Sequence, residues 1–151
     1  MAILPVSVNM DITSANATAV LVVDLLFPAG IALQQFGTDQ ALSMESIDIS
    51  ETRKGVDGKM VAGYVPVIYP VTITLEASSP SHHALATLWQ AMAANKRIYA
   101  CTLVCTMPSI RQIYTWSTGV LKSGGPFPSA NKTLDPTTWV FHFQDFAKAG
   151  F

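Results

Sequence analysis

The sequence predicts a mainly β domain carrying one packed α-helix, and three observations predict it. Val67, Tyr69, Val71, Ile73 and Leu75 alternate with Ile68, Pro70, Thr72, Thr74 and Glu76, the period of two expected of a strand with one buried face. A single stretch, Ser79 to Asn95, carries apolar residues at helical spacing behind a capping residue. The segments on either side read as further strands, so the order is strands, one helix, strands.

Taken along the chain, the first strand spans Ala19 to Leu26. A charged stretch follows: Glu45, Asp48, Glu51, Arg53, Lys54, Asp57 and Lys59 are seven of the nineteen charged residues. It centres on Lys54, Gly55, Val56, Asp57, Gly58 and Lys59, and Asp-Gly is a strong hairpin signal because both turn positions can need positive φ. The reading is an extended hairpin about 42–66 with a wet tip; a solvated loop is the simpler alternative. Within the alternating strand, Pro70 cannot donate a ladder hydrogen bond, which marks that end as an edge or a bulge.

The helix begins with Ser79 as its cap and Pro80 at the first position, where no amide hydrogen is needed. Leu85, Leu88, Trp89 and Met92 form one apolar stripe and are expected in the core. Asn95 ends the helix, and Lys96 and Arg97 suit its negative end. Three strands complete the chain. Ile98 to Met107 places Tyr99, Cys101, Leu103, Cys105 and Met107 on one face. Ile110 to Leu121 is the second, and the third follows Asp135-Pro136, with Trp139, Phe141 and Phe143 sharing a face.

Composition constrains the rest. The 151 residues suffice for a single domain, 1–151, with a core of its own. Half of them are hydrophobic and 13% are charged, against about 25% in an ordinary soluble domain; mean hydropathy is +0.34. Either the chain enters a membrane or copies of it cover one another. No segment reaches the roughly 20 apolar residues of a spanning helix, and Met1 to Val8, cut by Pro5 and without a basic lead, does not read as a signal peptide. Burial between subunits remains.

A net charge of −1 argues against a protein that binds nucleic acid by neutralising phosphates. Cys101 and Cys105 on one strand would lie about 13 Å apart, at about 3.3 Å per residue, beyond disulfide reach. They read as buried free thiols of a reducing cytoplasm, with a bridge to another chain as the alternative.

No catalytic constellation stands out. His82 and His83 fall in the first turn of the helix and are expected at the surface. His142 alternates against the aromatic face of the last strand. None has a cysteine or carboxylate at metal-ligand spacing. Ser123-Gly124-Gly125 lacks the strand–loop–helix setting of a phosphate cradle. The chain reads as no enzyme and implies no cofactor and no metal.

The layout resembles the tail tube protein family of long-tailed bacteriophages, the contractile-tailed kind above all. Four features carry the likeness: the charged hairpin around Lys54 to Gly58; the strand Val71-Thr-Ile-Thr-Leu75 running into Ser78-Ser-Pro80; the helix Ala84-Leu-Ala-Thr-Leu-Trp89; and the closing strand Thr138-Trp-Val-Phe-His-Phe143. The resemblance extends from about Ala19 to the end. It implies a β-sandwich or barrel subunit that lends strands to a ring barrel shared by a homo-oligomer, in hexameric rings that stack as a tube. It also implies a virion protein assembled in the bacterial host cytoplasm. Its partners would be the tail sheath and other tail proteins, with DNA passing the channel unbound and no membrane involved.

Within this resemblance the lumen should be polar and not basic, so that phosphates slide past. Asp48, Ser50, Thr72, Thr74 and Glu76, on the polar faces of the two strands flanking the hairpin, are the candidates, and Lys54 to Lys59 is the candidate inter-subunit hairpin. Two other readings stay open: a monomeric β-sandwich that binds a ligand or glycan through its loops, where Phe127 between Pro126 and Pro128 stands out, and another small tail protein such as a terminator.

Overall fold

A computed structural model of the chain describes residues 18–24, 26–33, 42–108 and 110–150. Among these residues are nine strands and one helix, in the order β1 (Thr18–Val23), β2 (Phe27–Ala32), β3 (Leu42–Met44), β4 (Ser50–Lys54), β5 (Met60–Tyr64), β6 (Tyr69–Leu75), α1 (Pro80–Asn95), β7 (Cys101–Met107), β8 (Gln112–Gly124) and β9 (Thr137–Gly150). Seven strands form one antiparallel sheet in the order β2-β1-β7-β8-β9-β6-β3, and β4 and β5 pair only with each other. The mainly β fold with one helix is thus as the sequence predicts. Among the described residues the sheet does not close, since β2 and β3 are its two edges.

The sheet curls sharply. β9 and β6 lie between β8 and β3, yet the Trp116 indole N–H reaches the Met44 sulfur at 3.3 Å. A β-bulge contributes to the bend. Thr118 has φ 55°, and the β7–β8 register slips between Cys101↔Gly119 and Leu103↔Trp116, the added residue that increases local twist.

Alternation fills the concave side. Leu21, Val23, Cys101, Leu103, Cys105, Val71, Ile73, Leu75, Trp139, Phe141 and Phe143 are buried there together with Leu85 and Leu88 of α1. The aromatic row of β9 needs space. A Cβ on Gly119 would lie 2.1 Å from the Phe143 ring, and one on Gly124 2.1 Å from the Trp139 ring, so both glycines serve as seats for aromatic faces.

The Ser79 side chain accepts the Ser81 amide and Pro80 opens the helix, as the sequence predicts. Its stripe is narrower than expected. Leu85 and Leu88 are fully buried and Met92 packs partly against the core, but Trp89 is 38% exposed. At 100° per residue Trp89 lies on the flank of a face centred on Leu85 and Leu88, so its place in the core is corrected to the rim. The helix ends where expected, with Lys96 capping it at φ 51°.

Two thermal-denaturation measurements separate these positions. Leu88→Ala should cost about 2–5 kcal/mol, the range for a fully buried leucine. Trp89→Ala should cost less than Leu88→Ala in the isolated chain, because much of its ring already meets water.

Candidate functional site

Three surfaces stand apart from the core. The first is the convex side of the sheet. Val20 and Val22 of β1, Thr102, Val104 and Thr106 of β7, Thr115 and Val120 of β8, Val140 of β9, and Thr72 and Thr74 of β6 all alternate away from the core, half-buried by their strand neighbours. No described element packs over them; α1 lies on the other side. Charge is scarce on this face. His142 sits on it with its pKa lowered by burial and by the nearby Lys122 ammonium, while Glu45 acts in the opposite sense.

The second surface is the β4–β5 hairpin. Its ladder runs from Ser50↔Tyr64 to Lys54↔Met60, and Val65 N–H donates to the Ile49 carbonyl to lengthen it. The turn falls where the sequence puts it, but Asp57 is not among the residues with positive φ, so Gly58 alone of the pair takes that conformation. Gly55 N–H donates to the Lys59 carbonyl, Gly58 N–H to the Gly55 carbonyl, Lys59 N–H to the Asp57 carboxylate at 3.1 Å, and Gly58 takes φ 82°. Every residue of β4 and β5 is exposed, Met60 and Tyr64 by 71% and 70%. A lone two-stranded ribbon is marginal in water, so this one is a surface in need of a partner.

The third is the set of free strand edges. β6 pairs with β9 only from Thr137 to Phe143, so Gln144 to Gly150 is bonded to β8 alone. β3 stops at Met44 opposite Val71, which leaves Pro70 without a partner on that side, as its missing N–H anticipates.

The five candidate polar residues do not form one group. Thr72 and Thr74 share the convex face of β6. Glu76 is half-buried just beyond, in the turn where Ser79 N–H donates to its carbonyl. Asp48 lies in the exposed connector between β3 and β4, and Ser50 begins the hairpin, so the alternation linking them to Thr72 is interrupted. Lys54 to Lys59 come together at the hairpin tip.

Sequence reasoning missed a polar cluster that pins the helix to the sheet. His82 is buried, not exposed. Its Nδ1 is 2.9 Å from Thr137 Oγ1, and the Trp139 indole N–H donates to the same oxygen at 3.1 Å. The Ser81 hydroxyl donates to the Ala32 carbonyl at 3.2 Å, tying the helix to β2 as well. The available signal was the shared spacing of His82 with Leu85, three residues apart on one face. Burial, and then the neighbouring His83, hold the His82 pKa below its ordinary value of 6.5. Cys101 and Cys105 are buried and free. Burial, assisted by Asp24, pushes the Cys101 thiol up to about 12, and burial raises Cys105 too, so both stay protonated and unreactive. Among the described residues, no three His, Cys, Asp or Glu side chains are grouped to hold a metal. No described helix is long and apolar enough to cross a membrane.

A depressed histidine pKa gives stability that is complete above the unfolded value, near 6.5, and falls as pH drops below it toward the folded value. Melting temperature should therefore be level at pH 7–8 and decline from about pH 6.5 downward. His142 contributes in the same direction, so the His82 share is what a His82→Gln variant fails to lose. An identical acid profile in that variant would remove His82 from the account.

Comparison with known proteins follows from this geometry. No curated protein matches the sequence. Among solved structures, a chain in the cap that terminates the anti-feeding prophage tube aligns at 10% identity and TM-score 0.57, covering 100% of both chains. A chain of the sheath–tube complex of an extracellular contractile injection system, in its extended state, aligns at 9% identity and TM-score 0.55, covering 95% of both. One in the anti-feeding prophage baseplate aligns at 14% identity and TM-score 0.54, covering 89% of this chain and 92% of that one. At such identities the likeness is one of fold, and in fold the resemblance to tail tube proteins is borne out. A protein family described as tail fiber protein gp32 matches residues 10–147.

Proposed function

Because the chain belongs to the tail fiber protein gp32 family, we propose that it is a structural protein of a phage tail that assembles with its own copies into stacked hexameric rings around a channel. The observation that carries this reading is the open sheet. Among the described residues, two edges, a lone hairpin and a convex face of valines and threonines are all left uncovered. A barrel completed by neighbouring copies satisfies the edges and encloses that face. It also explains how 13% charge suffices, since little of the monomer surface would meet water.

In this reading the channel conducts DNA outward. Thr72 and Thr74 face it and Glu76 lies near its rim, offering hydroxyls and a carboxylate where cations would grip phosphate. The hairpin from Lys54 to Lys59 reaches the next ring, and the outer surface meets the sheath and other tail proteins. The role is architectural and involves no catalysis. The cap and baseplate likenesses favour one second reading, a single ring that joins or ends a tube instead of repeating along it.

Native mass spectrometry and negative-stain electron microscopy decide. Rings that stack support a tube, rings that stay single support the joining role, and a stable monomer at high concentration overturns both in favour of a monomeric binding module. Deleting Gly55 to Gly58 should leave a folded chain that forms rings but stacks poorly. Thr72→Lys with Thr74→Lys should slow DNA release, most strongly at low salt; unchanged release at every salt concentration would take these residues out of the channel.

A further inference from the structure

A groove lies between the last turn of α1 and the end of β8. Trp89, Met92, Ile98 and Leu121 form its floor, Lys96 and Arg97 stand beside them, and it encloses about 360 Å³. Lys122 lines it as well, and among the described residues no acid does. Ile98 is 64% exposed, so an apolar anchor lies beside three positive charges. β7 pairs with β8 only as far as Gly119, which leaves Val120 to Gly124 bonded on the β9 side alone. Lys96 also holds a left-handed backbone conformation that glycine adopts without steric cost. Its charge suits the helix terminus and is presented at the groove.

The complement to this groove is on the same chain. The β3–β4 connector and the first two residues of β4, Glu45 to Glu51, read Glu-Ser-Ile-Asp-Ile-Ser-Glu, with three acids and no base. They are exposed apart from half-buried Ile47, and Ile49 is 60% exposed. The acids offered by this stretch are Asp48 and Glu51, with Glu45 before them, and the bases at the groove are Lys96, Arg97 and Lys122, Arg97 lying over its own Tyr99 ring at 5.5 Å. The connector follows β3 at one edge of the sheet, whereas α1 contacts β2, the opposite edge, and β8.

We propose that the Asp48–Glu51 stretch of one copy, the end of the β3–β4 connector and the start of β4, docks in the α1–β8 groove of the next. Ile49 covers Trp89 and Ile98, and Asp48 and Glu51 face Lys96 and Arg97. Buried apolar contact supplies most of the affinity, and the charges fix register and exclude wrong pairings. The inference rests on the ring reading above and names the contact by which copies would meet. Unlike patches joined head to tail generate rings when the rotation closes and filaments when it does not.

Charge reversal tests the contact. The full-length Asp48→Lys/Glu51→Lys and Lys96→Glu/Arg97→Glu variants are each compared with the parent by native mass spectrometry and light scattering, with circular dichroism to confirm folding. Each alone should need at least about tenfold more protein for half-assembly, from two charge pairs turned repulsive. An equimolar mixture should recover the parent value, because an alternating ring restores every pair. Lys96→Gly/Arg97→Gln keeps the left-handed cap comfortable and should fold at least as well, yet still weaken assembly. If both reversed variants assemble as the parent does, or the folded mixture gains nothing over either alone, the contact is wrong while the ring reading stands. If the parent itself never associates, the ring reading has failed as well.

Discussion

Every exposed strand edge carries amide and carbonyl groups that seek partners, and the described residues leave two such edges. Their seven-stranded sheet curls around a helix and an aromatic row but stops short of closure at β2 and β3. Soluble monomers blunt their edges with charge, proline or covering loops. Here β2 has Pro28 and β6 has Pro70, while β9 from Gln144 onward carries Asp145 and Lys148 but no proline. The low charge content and the exposed hairpin express the same condition. Surface that would need solvating in a monomer can stay apolar when a neighbour covers it.

The inside of the curl is specified much more tightly. Gly119 and Gly124 give up side chains so that Phe143 and Trp139 can lie flat against the adjacent strand. Leu85 and Leu88 close the cluster from above, and the His82–Thr137–Trp139 hydrogen bonds fix the helix over it. A buried imidazole is tolerated because its polar atom has a partner, and the Trp139 indole N–H is satisfied by the same hydroxyl. Packing therefore depends on β9, whose one face carries both the aromatic rings and the threonine that anchors the helix.

Much of this was legible in the sequence, for identifiable reasons. Period-two alternation marked β6, β7 and β9 because each has one fully buried face. Ser79-Pro80 marked the helix start, and Asp57-Gly58 marked the hairpin turn. What could not be read depended on contacts between distant segments. The burial of His82 requires Thr137, 55 residues away. The bulge at Thr118 leaves no residue signature, since threonine is a rare occupant of positive φ. Asp48 and Thr72 seemed to share a face because alternation was extended across a connector that belongs to no strand. The short β2, with proline and glycine in its middle, reads as a turn by itself and becomes a strand only beside β1.

The placement of β1 has a temporal consequence. It pairs with β7, Thr18 opposite Thr106, so the first strand waits through more than half the chain's synthesis for its partner. Contacts so far apart in sequence are slow to form because loop closure comes before any reward. β2 is carried by β1, so one of the two outer edges acquires its shape only when β7 has arrived. A nascent or half-folded chain lacks that edge and cannot be recruited through it. In the proposed assembly, completion of the fold would thus precede the entry of a subunit into the ring.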